Sequence, residues 1–235
     1  MTKLNKAISL IILSVLAISC GKESDANFTL RGSVKGLKKG VVYLQKDGDS
    51  SIVDLDSMTI NGQNEFMLHT NIEEPIILYL KMFKNDGAEH YIPFFADKGV
   101  TEINTTLKNF NYDSEIKGSK QQELLDDYLK IITKYNNQNL DFIEQKFLAL
   151  KAQDSIAADS LSNLANTIVK RKYAYTIQFA INNRDSEISP YLALFEARKA
   201  NPIFIDSIYN NLTPRIKNSF YGKKLAEVVA SHKTE

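Results

Sequence analysis

One cysteine, no tryptophan and three histidines occur in the 235 residues of this chain. A single thiol cannot close an intramolecular disulfide. Nor can it run dithiol exchange, in which one thiolate attacks and a second thiol resolves. His69, His90 and His232 are scattered, and none has the spacing of a metal-binding pair such as H-E-x-x-H. Glu89-His90 beside Asp86 is the nearest approach to a ligand cluster, and a solvated turn is its plainer reading. There is no G-x-S-x-G elbow, because in Gly32-Ser33-Val34-Lys35-Gly36 the serine stands one place too early. The glycine patterns that cradle phosphate are missing as well. So is an excess of charge: 29 basic against 28 acidic side chains offer nucleic acid no basic surface to meet.

What is present begins at the N-terminus. Lys3 and Lys6 precede an almost unbroken apolar run from Ala7 to Ser19. At 1.5 Å per residue this run covers only about 20 Å, short of the ~30 Å hydrocarbon core of a bilayer, so it reads as a signal-peptide core and not as a membrane span. Cys20, preceded by Ala17, Ile18 and Ser19, resembles the lipobox of bacterial lipoproteins, with Ala17 in the place of the usual leucine. The resemblance implies that residues 1–19 are removed and that Cys20 is acylated, each buried methylene of the lipid contributing about 0.8 kcal/mol to anchoring. Residues 20–27 then form a polar tether. Its Lys22 and Glu23 are similar to the charged stretch that accompanies surface export in some Bacteroidota lipoproteins. The expected location is the cell envelope, lipid-anchored at the outer membrane, with the leaflet left open. Lys3 and Lys6 would leave with the leader, so 27 basic side chains would face 28 acidic ones.

Two periods divide the remainder. From Phe28 to about Asn104 apolar residues alternate in short runs separated by turn residues, the pattern of half-buried strands. Seven are expected: Phe28 to Val34, Val41 to Gln45, Ile52 to Ile60, Glu65 to His69, Pro75 to Phe83, Tyr91 to Ala96 and Val100 to Asn104. Asn61-Gly62 predicts a tight hairpin between the third and fourth. In the fifth both alternating sets are apolar, which predicts cover on both faces. After Gly118 the period becomes helical, with Leu124, Leu125, Tyr128, Leu129, Ile132 and Tyr135 in one series and Leu161, Leu164, Ile168, Tyr175 and Phe179 in another. Ser119 and Gln122 have the form of a capping box. A break is expected at Asn136 to Asn139, and three later helix starts are expected at Ser189-Pro190, Asn201-Pro202 and Thr213-Pro214. The expected fold class is α+β: an N-terminal antiparallel β-sandwich or partly open barrel over 28–117, then an α-helical region over 118–235 packed on or beside it.

The order of these features resembles a known module. F-T-L-R-G-S-V-K-G-L at 28–37, V-Y-L at 42–44, D-L-D-S at 54–57, N-G-Q-N-E-F at 61–66, E-P at 74–75 and F-F-A-D-K-G at 94–99 are similar to domain of unknown function 4369, found at the N-terminus of many Bacteroidota lipoproteins. Asp56-Ser57, Asn61-Gly62, Pro75, Phe95 to Gly99 and Gly118-Ser119 occupy the places of its motifs. Asp97 stands for the usual glutamate, and Gln63-Asn64-Glu65 lengthen the turn. The helical part, including S-F-Y-G-K-K-L at 219–225, resembles the stretch that leads into a thioredoxin-like domain in those relatives. The resemblance implies the accessory part of a thiol-disulfide lipoprotein without its catalytic part.

Function is read accordingly. The chain is expected to be a non-catalytic, membrane-anchored binding module, with a protein or envelope ligand as partner and neither metal nor cofactor. One alternative is an accessory subunit of a separately encoded thioredoxin-like oxidoreductase; another is a hydrolase using acidic residues. Carboxylate pairs such as Asp54 and Asp56 or Asp126 and Asp127 are the raw material for the latter. Asp56 and Ser57 are the foremost polar candidates, with a strand-end hydrogen bond as their plainer role. Asp56-Ser57-Met58, Asp154-Ser155-Ile156, Asp159-Ser160-Leu161 and Asp206-Ser207-Ile208 resemble the O-glycosylation acceptor of Bacteroidota, while each serine also suits a helix cap or turn.

Overall fold

The computed structural model describes residues 25–48, 50–84 and 89–232; the expected leader and Cys20 lie outside them. Among the described residues eight strands come first: β1 (Phe28–Lys35), β2 (Lys39–Asp47), β3 (Ile52–Asn61), β4 (Glu65–Thr70), β5 (Ile76–Phe83), β6 (Glu89–Ala96), β7 (Gly99–Thr106) and β8 (Glu115–Lys117). Six helices follow: α1 (Lys120–Lys151), α2 (Ser155–Asn182), α3 (Ile188–Phe195), α4 (Pro202–Asn211), α5 (Pro214–Lys217) and α6 (Phe220–Ser231). None of the described helices is long and apolar enough to cross a membrane.

The strands form two four-stranded sheets, ordered β4-β1-β7-β8 and β3-β2-β5-β6. Their inner faces meet in one apolar core, where Phe28, Leu30, Leu68 and Ile103 of the first sheet pack against Val42, Leu44, Leu80 and Phe94 of the second. The α+β class and the sandwich are therefore as the strand pattern and the helical period foretold. One pairing departs from the antiparallel expectation: β1 and β7 run parallel, from Phe28↔Gly99 to Lys35↔Thr106. Parallel neighbours need a long connection, and here it is most of the sandwich, since β2 to β6 all intervene. The eighth strand is only three residues long and pairs with β7, too short for a period to show.

Asn61-Gly62 makes no hairpin. β3 pairs with β2 and β4 pairs with β1, so the turn passes the chain from one sheet to the other. A type I′ turn requires positive φ at both central residues, and of the two only Gly62 has it, at 99°. The turn is held instead by the Gly62 N–H on the Lys38 carbonyl (2.8 Å) and by the Val34 N–H on that of Asn64 (2.9 Å).

The outer face of β5 and β6 carries the helices. Ile77 and Phe95, side by side in the ladder, point away from the sandwich core into a second apolar cluster with Leu125, Tyr128, Ile132, Leu192 and Tyr221. This is the two-sided cover that the apolar character of β5 required. Tyr128 is fully buried, stacks near Tyr175, and pairs its hydroxyl with that of Thr176 at 2.8 Å.

The expected break at Asn136 to Asn139 is absent, and α1 continues for 32 residues, roughly 48 Å. Asparagine is a weak helix former but not a breaker, and the seam with α2 carries the helix through. Reversal comes at Ala152 to Asp154, where Gln153 takes φ 60° and Asp154 caps α2 by accepting the Ala157 N–H. The start at Ser189-Pro190 is displaced: Glu187 is the cap position of α3, and Pro190 sits within the first turn, where a missing N–H costs no helical bond. Asn201 and Thr213 do stand at the cap positions of α4 and α5, with proline next in line; Asn201 accepts the Ile203 N–H, Thr213 makes no side-chain cap bond, and Ser219 caps α6.

Candidate functional site

A polar cleft of about 440 Å³ opens where the end of the sandwich meets the helices. Glu73, Glu74 and Pro75 come from the β4–β5 link, Asp97 and Lys98 from the β6–β7 turn, and Glu187, Arg215, Asn218 and Ser219 from the helical side. Its lining gathers four carboxylates, so the fate of each bears on acid-base chemistry. Glu74 accepts the backbone N–H of Phe220 at 2.9 Å, at the start of α6. Asp97 accepts the Ser119 hydroxyl (3.2 Å) and the Gln121 N–H (3.1 Å) at the start of α1. Both carboxylates thus lie at helix N-termini, where unpaired N–H groups and the helix dipole favour negative charge. Glu187 is almost fully buried and accepts from Arg215 Nη1 (2.5 Å) and Gln121 Nε2 (3.0 Å). Gln121 completes the group by accepting the Ser186 hydroxyl and the Ile188 N–H.

The cleft is therefore a polar seam that fastens helices to sheet. Ser119 behaves as the sequence led one to expect, accepting the Gln122 N–H at 3.1 Å. Gln122 does not complete the capping box. Its Oε1 accepts the N–H of Phe95 at 2.7 Å, on the outermost strand of its sheet, and its Nε2 donates to Asp126 at 2.7 Å. Burial pushes the Asp126 carboxyl up, against the Gln122 hydrogen bond that lowers it.

The other sequence candidates are held apart. Asp56 continues the face of Met58 and Ile60 at the rim of the sandwich, and its carboxylate accepts the His69 N–H of β4 (2.7 Å) and the Ser57 N–H (2.8 Å). It thus ties β3 to a strand of the opposite sheet. Asp54 does not share its partners: the register slips by one residue opposite Leu44 and Gln45, and Asp54 accepts from Gln45 Nε2. His69 meets Thr29 (3.0 Å), His90 lies near the Phe110 ring, and His232 meets Asp206 (3.1 Å), all in different parts of the fold. Glu89 is drawn below the usual carboxylate range by Lys81 and then Tyr91, while Asp86 falls outside the described residues. Among those residues, no three His, Cys, Asp or Glu side chains gather to hold a metal ion. Of the Asp-Ser-apolar sites, Asp154 caps α2 and Asp206 is the partner of His232.

Residues 28–125 match the family model described as domain of unknown function DUF4369. The match spans the whole sandwich and the first turn and a half of α1; residues 126–235 lie beyond it. Inside the DUF4369 stretch, the motif positions do structural work that can be named. Asp56 joins the sheets, Gly62 and Gly99 supply positive φ at turns, and Asp97 and Ser119 secure α1. At Gly118 a side chain would lie 2.2 Å from the Val100 carbonyl oxygen. No curated protein and no solved structure matches the chain.

One surface went unread in the sequence. The last residue of α1 that is buried is Ile132, and beyond it α1 and α2 form a hairpin with little but each other for support. On it Leu140, Ile143, Phe147 and Leu150 are 50–61 % exposed. Their spacing of three, four and three is that of a coiled-coil seam, a signal available in the sequence had the helix been taken as unbroken.

Proposed function

We propose that this chain is a non-catalytic lipoprotein of the cell envelope, held at the outer membrane by acylated Cys20, which offers the distal α1–α2 hairpin to a protein partner. The observation that carries the reading is the seam of Leu140, Ile143, Phe147 and Leu150, set at interhelical spacing yet left in solvent. Monomeric proteins seldom expose contiguous apolar area without a use for it. Anchoring supports the same reading, because a tethered module raises the local concentration of whatever it binds without performing chemistry.

The polar cleft does not favour the hydrolase reading, since Glu74, Asp97 and Glu187 are each occupied by helix-end or buried donors, which leaves the exposed Glu73 without a second free carboxylate among the cleft's lining. The accessory-subunit reading differs from the first only in who the partner is, and one experiment addresses both. A photo-crosslinking residue is placed at position 147, and as control at the exposed Lys223 on α6, in the chain expressed in its own cells. The expected result is one dominant adduct from position 147, lost when Leu140 and Ile143 are changed to Glu. A thioredoxin-like protein in that adduct selects the accessory-subunit reading, whereas equal yields from both positions would sink the docking face. Membrane fractionation checks the anchor: Cys20→Ala is expected in the soluble fraction.

A further inference from the structure

A second groove, of about 590 Å³, lies on the helical region away from the polar cleft and from the hairpin tip. Its lining includes Tyr173, Ala174 and Ile177 of α2 and Phe204 from the first turn of α4. Lys170 of α2 and Lys199 of the α3–α4 link also line it, and no acidic residue does. The remaining polar lining is already engaged: Asn201 caps the Ile203 N–H and Gln178 donates to Asn182. Neither lysine ammonium has an ion-pair or hydrogen-bond partner among the described residues. Phe204 remains 46 % exposed at the mouth.

We propose that this groove binds one molecule of a single-chain anionic amphiphile, its carboxylate between Lys170 and Lys199 and its hydrocarbon tail against Tyr173, Ala174, Ile177 and Phe204. Charge and apolarity suit such a ligand, with two unpaired cations in a lining that is otherwise apolar but for the engaged Gln178 and Asn201. The volume falls within the range of about 300–1,000 Å³ typical of small-molecule sites. A protein partner is a poorer fit, because a stable interface buries roughly 800 Å² on each side, more than nine lining residues supply.

The test uses the full chain and a homologous series of octanoate, decanoate and dodecanoate, with dodecanol as the uncharged comparison, followed by calorimetry. One molecule is expected to bind per chain, with affinity rising roughly fourfold for each methylene buried, and dodecanoate is expected to bind at least tenfold more tightly than dodecanol. The double variant Lys170→Glu and Lys199→Glu is expected to remove that preference while leaving dodecanol binding within twofold. Ala174→Trp, at an exposed helical position, is expected to fill the groove and weaken both ligands; circular dichroism establishes that each variant is folded. Equal binding of dodecanoate and dodecanol to the unaltered chain overturns the proposal. So does dodecanoate binding that survives both variants, which would place the ligand elsewhere, and so does the lack of saturable binding.

Discussion

The hydroxyl of Tyr221, on the last helix, accepts the backbone N–H of Ile77, 144 positions earlier, at 3.0 Å. The β2–β5 ladder ends at the pair Gln45↔Tyr79, so Ile77 lies past its last rung and its buried N–H needs another acceptor. Tyr221 supplies one while its ring packs edge-on to Phe95. Tyr221→Phe keeps the ring and strands the donor, which typically costs about 1–3 kcal/mol. Urea denaturation is expected to show the midpoint falling by that amount with the slope unchanged.

Gln122 does for β6 what Tyr221 does for β5, through its contact with the Phe95 N–H. Gln122→Leu fills a similar volume but leaves that donor bare, and roughly the same ~1–3 kcal/mol loss is expected. Ser119→Ala, which removes the cap on the Gln122 N–H and the hydroxyl's bond to Asp97 but leaves the Phe95 contact, is expected to cost ~0.5–2 kcal/mol. Hydrogen exchange separates the two: Phe95 protection should fall in the first variant and persist in the second.

Arg215 lies largely in solvent while its partner Glu187 is 3 % exposed at the side chain. Removing the arginine leaves a buried carboxylate held by Gln121 alone, so Arg215→Ala is expected to destabilise toward the low end of the ~3–5 kcal/mol seen for broken buried pairs. Glu187→Gln in the Arg215→Ala background should restore part of the loss. A double-mutant cycle measures the coupling, and additive effects would contradict the pairing.

Tyrosines set the alkaline limit. Tyr79 is pushed up to about 12 by burial first and then by Asp47, and burial raises Tyr128, Tyr191 and Tyr221 in the same direction. Above pH 10 the unfolded chain releases these protons while the folded chain keeps them. The unfolded state then binds fewer protons, and stability must fall as pH rises. The stabilisation is complete below about pH 10 and, for Tyr79, gone once pH passes about 12. Thermal melts from pH 9 to 12 should show a steepening decline, and Tyr79→Phe should make it shallower. Over and above the absorbance of exposed rings such as Tyr112, the tyrosinate signal of these four rings should appear together with unfolding and not before it.

The stretch Ser219 to Leu225 shows how far a motif can be read without its partners. In sequence it is a recognisable string; in the fold Ser219 caps α6, Phe220 gives its N–H to Glu74, Tyr221 meets Ile77, and Leu225 is fully buried. Gly222 belongs to the same clamp, since a Cβ there would lie 1.8 Å from the Ile216 carbonyl oxygen. The Ser219 cap and the close approach of Gly222 to Ile216 are local, but position along the chain does not disclose the contacts to Glu74 and Ile77, which come from distant elements.

The same division runs through the molecule. The sequence by itself determined where the seven long strands lie and where helices α1, α4 and α5 begin, because alternation, capping side chains and proline act over a few residues. It also determined that β5 would be covered on both faces. Only the tertiary structure decided that Asn61-Gly62 crosses between sheets, that β1 runs parallel to β7, and that α1 passes through its asparagines to leave Leu140 to Leu150 in solvent. Each of these depends on which distant surface is buried against which, a competition among long-range contacts that local preference is too weak to settle.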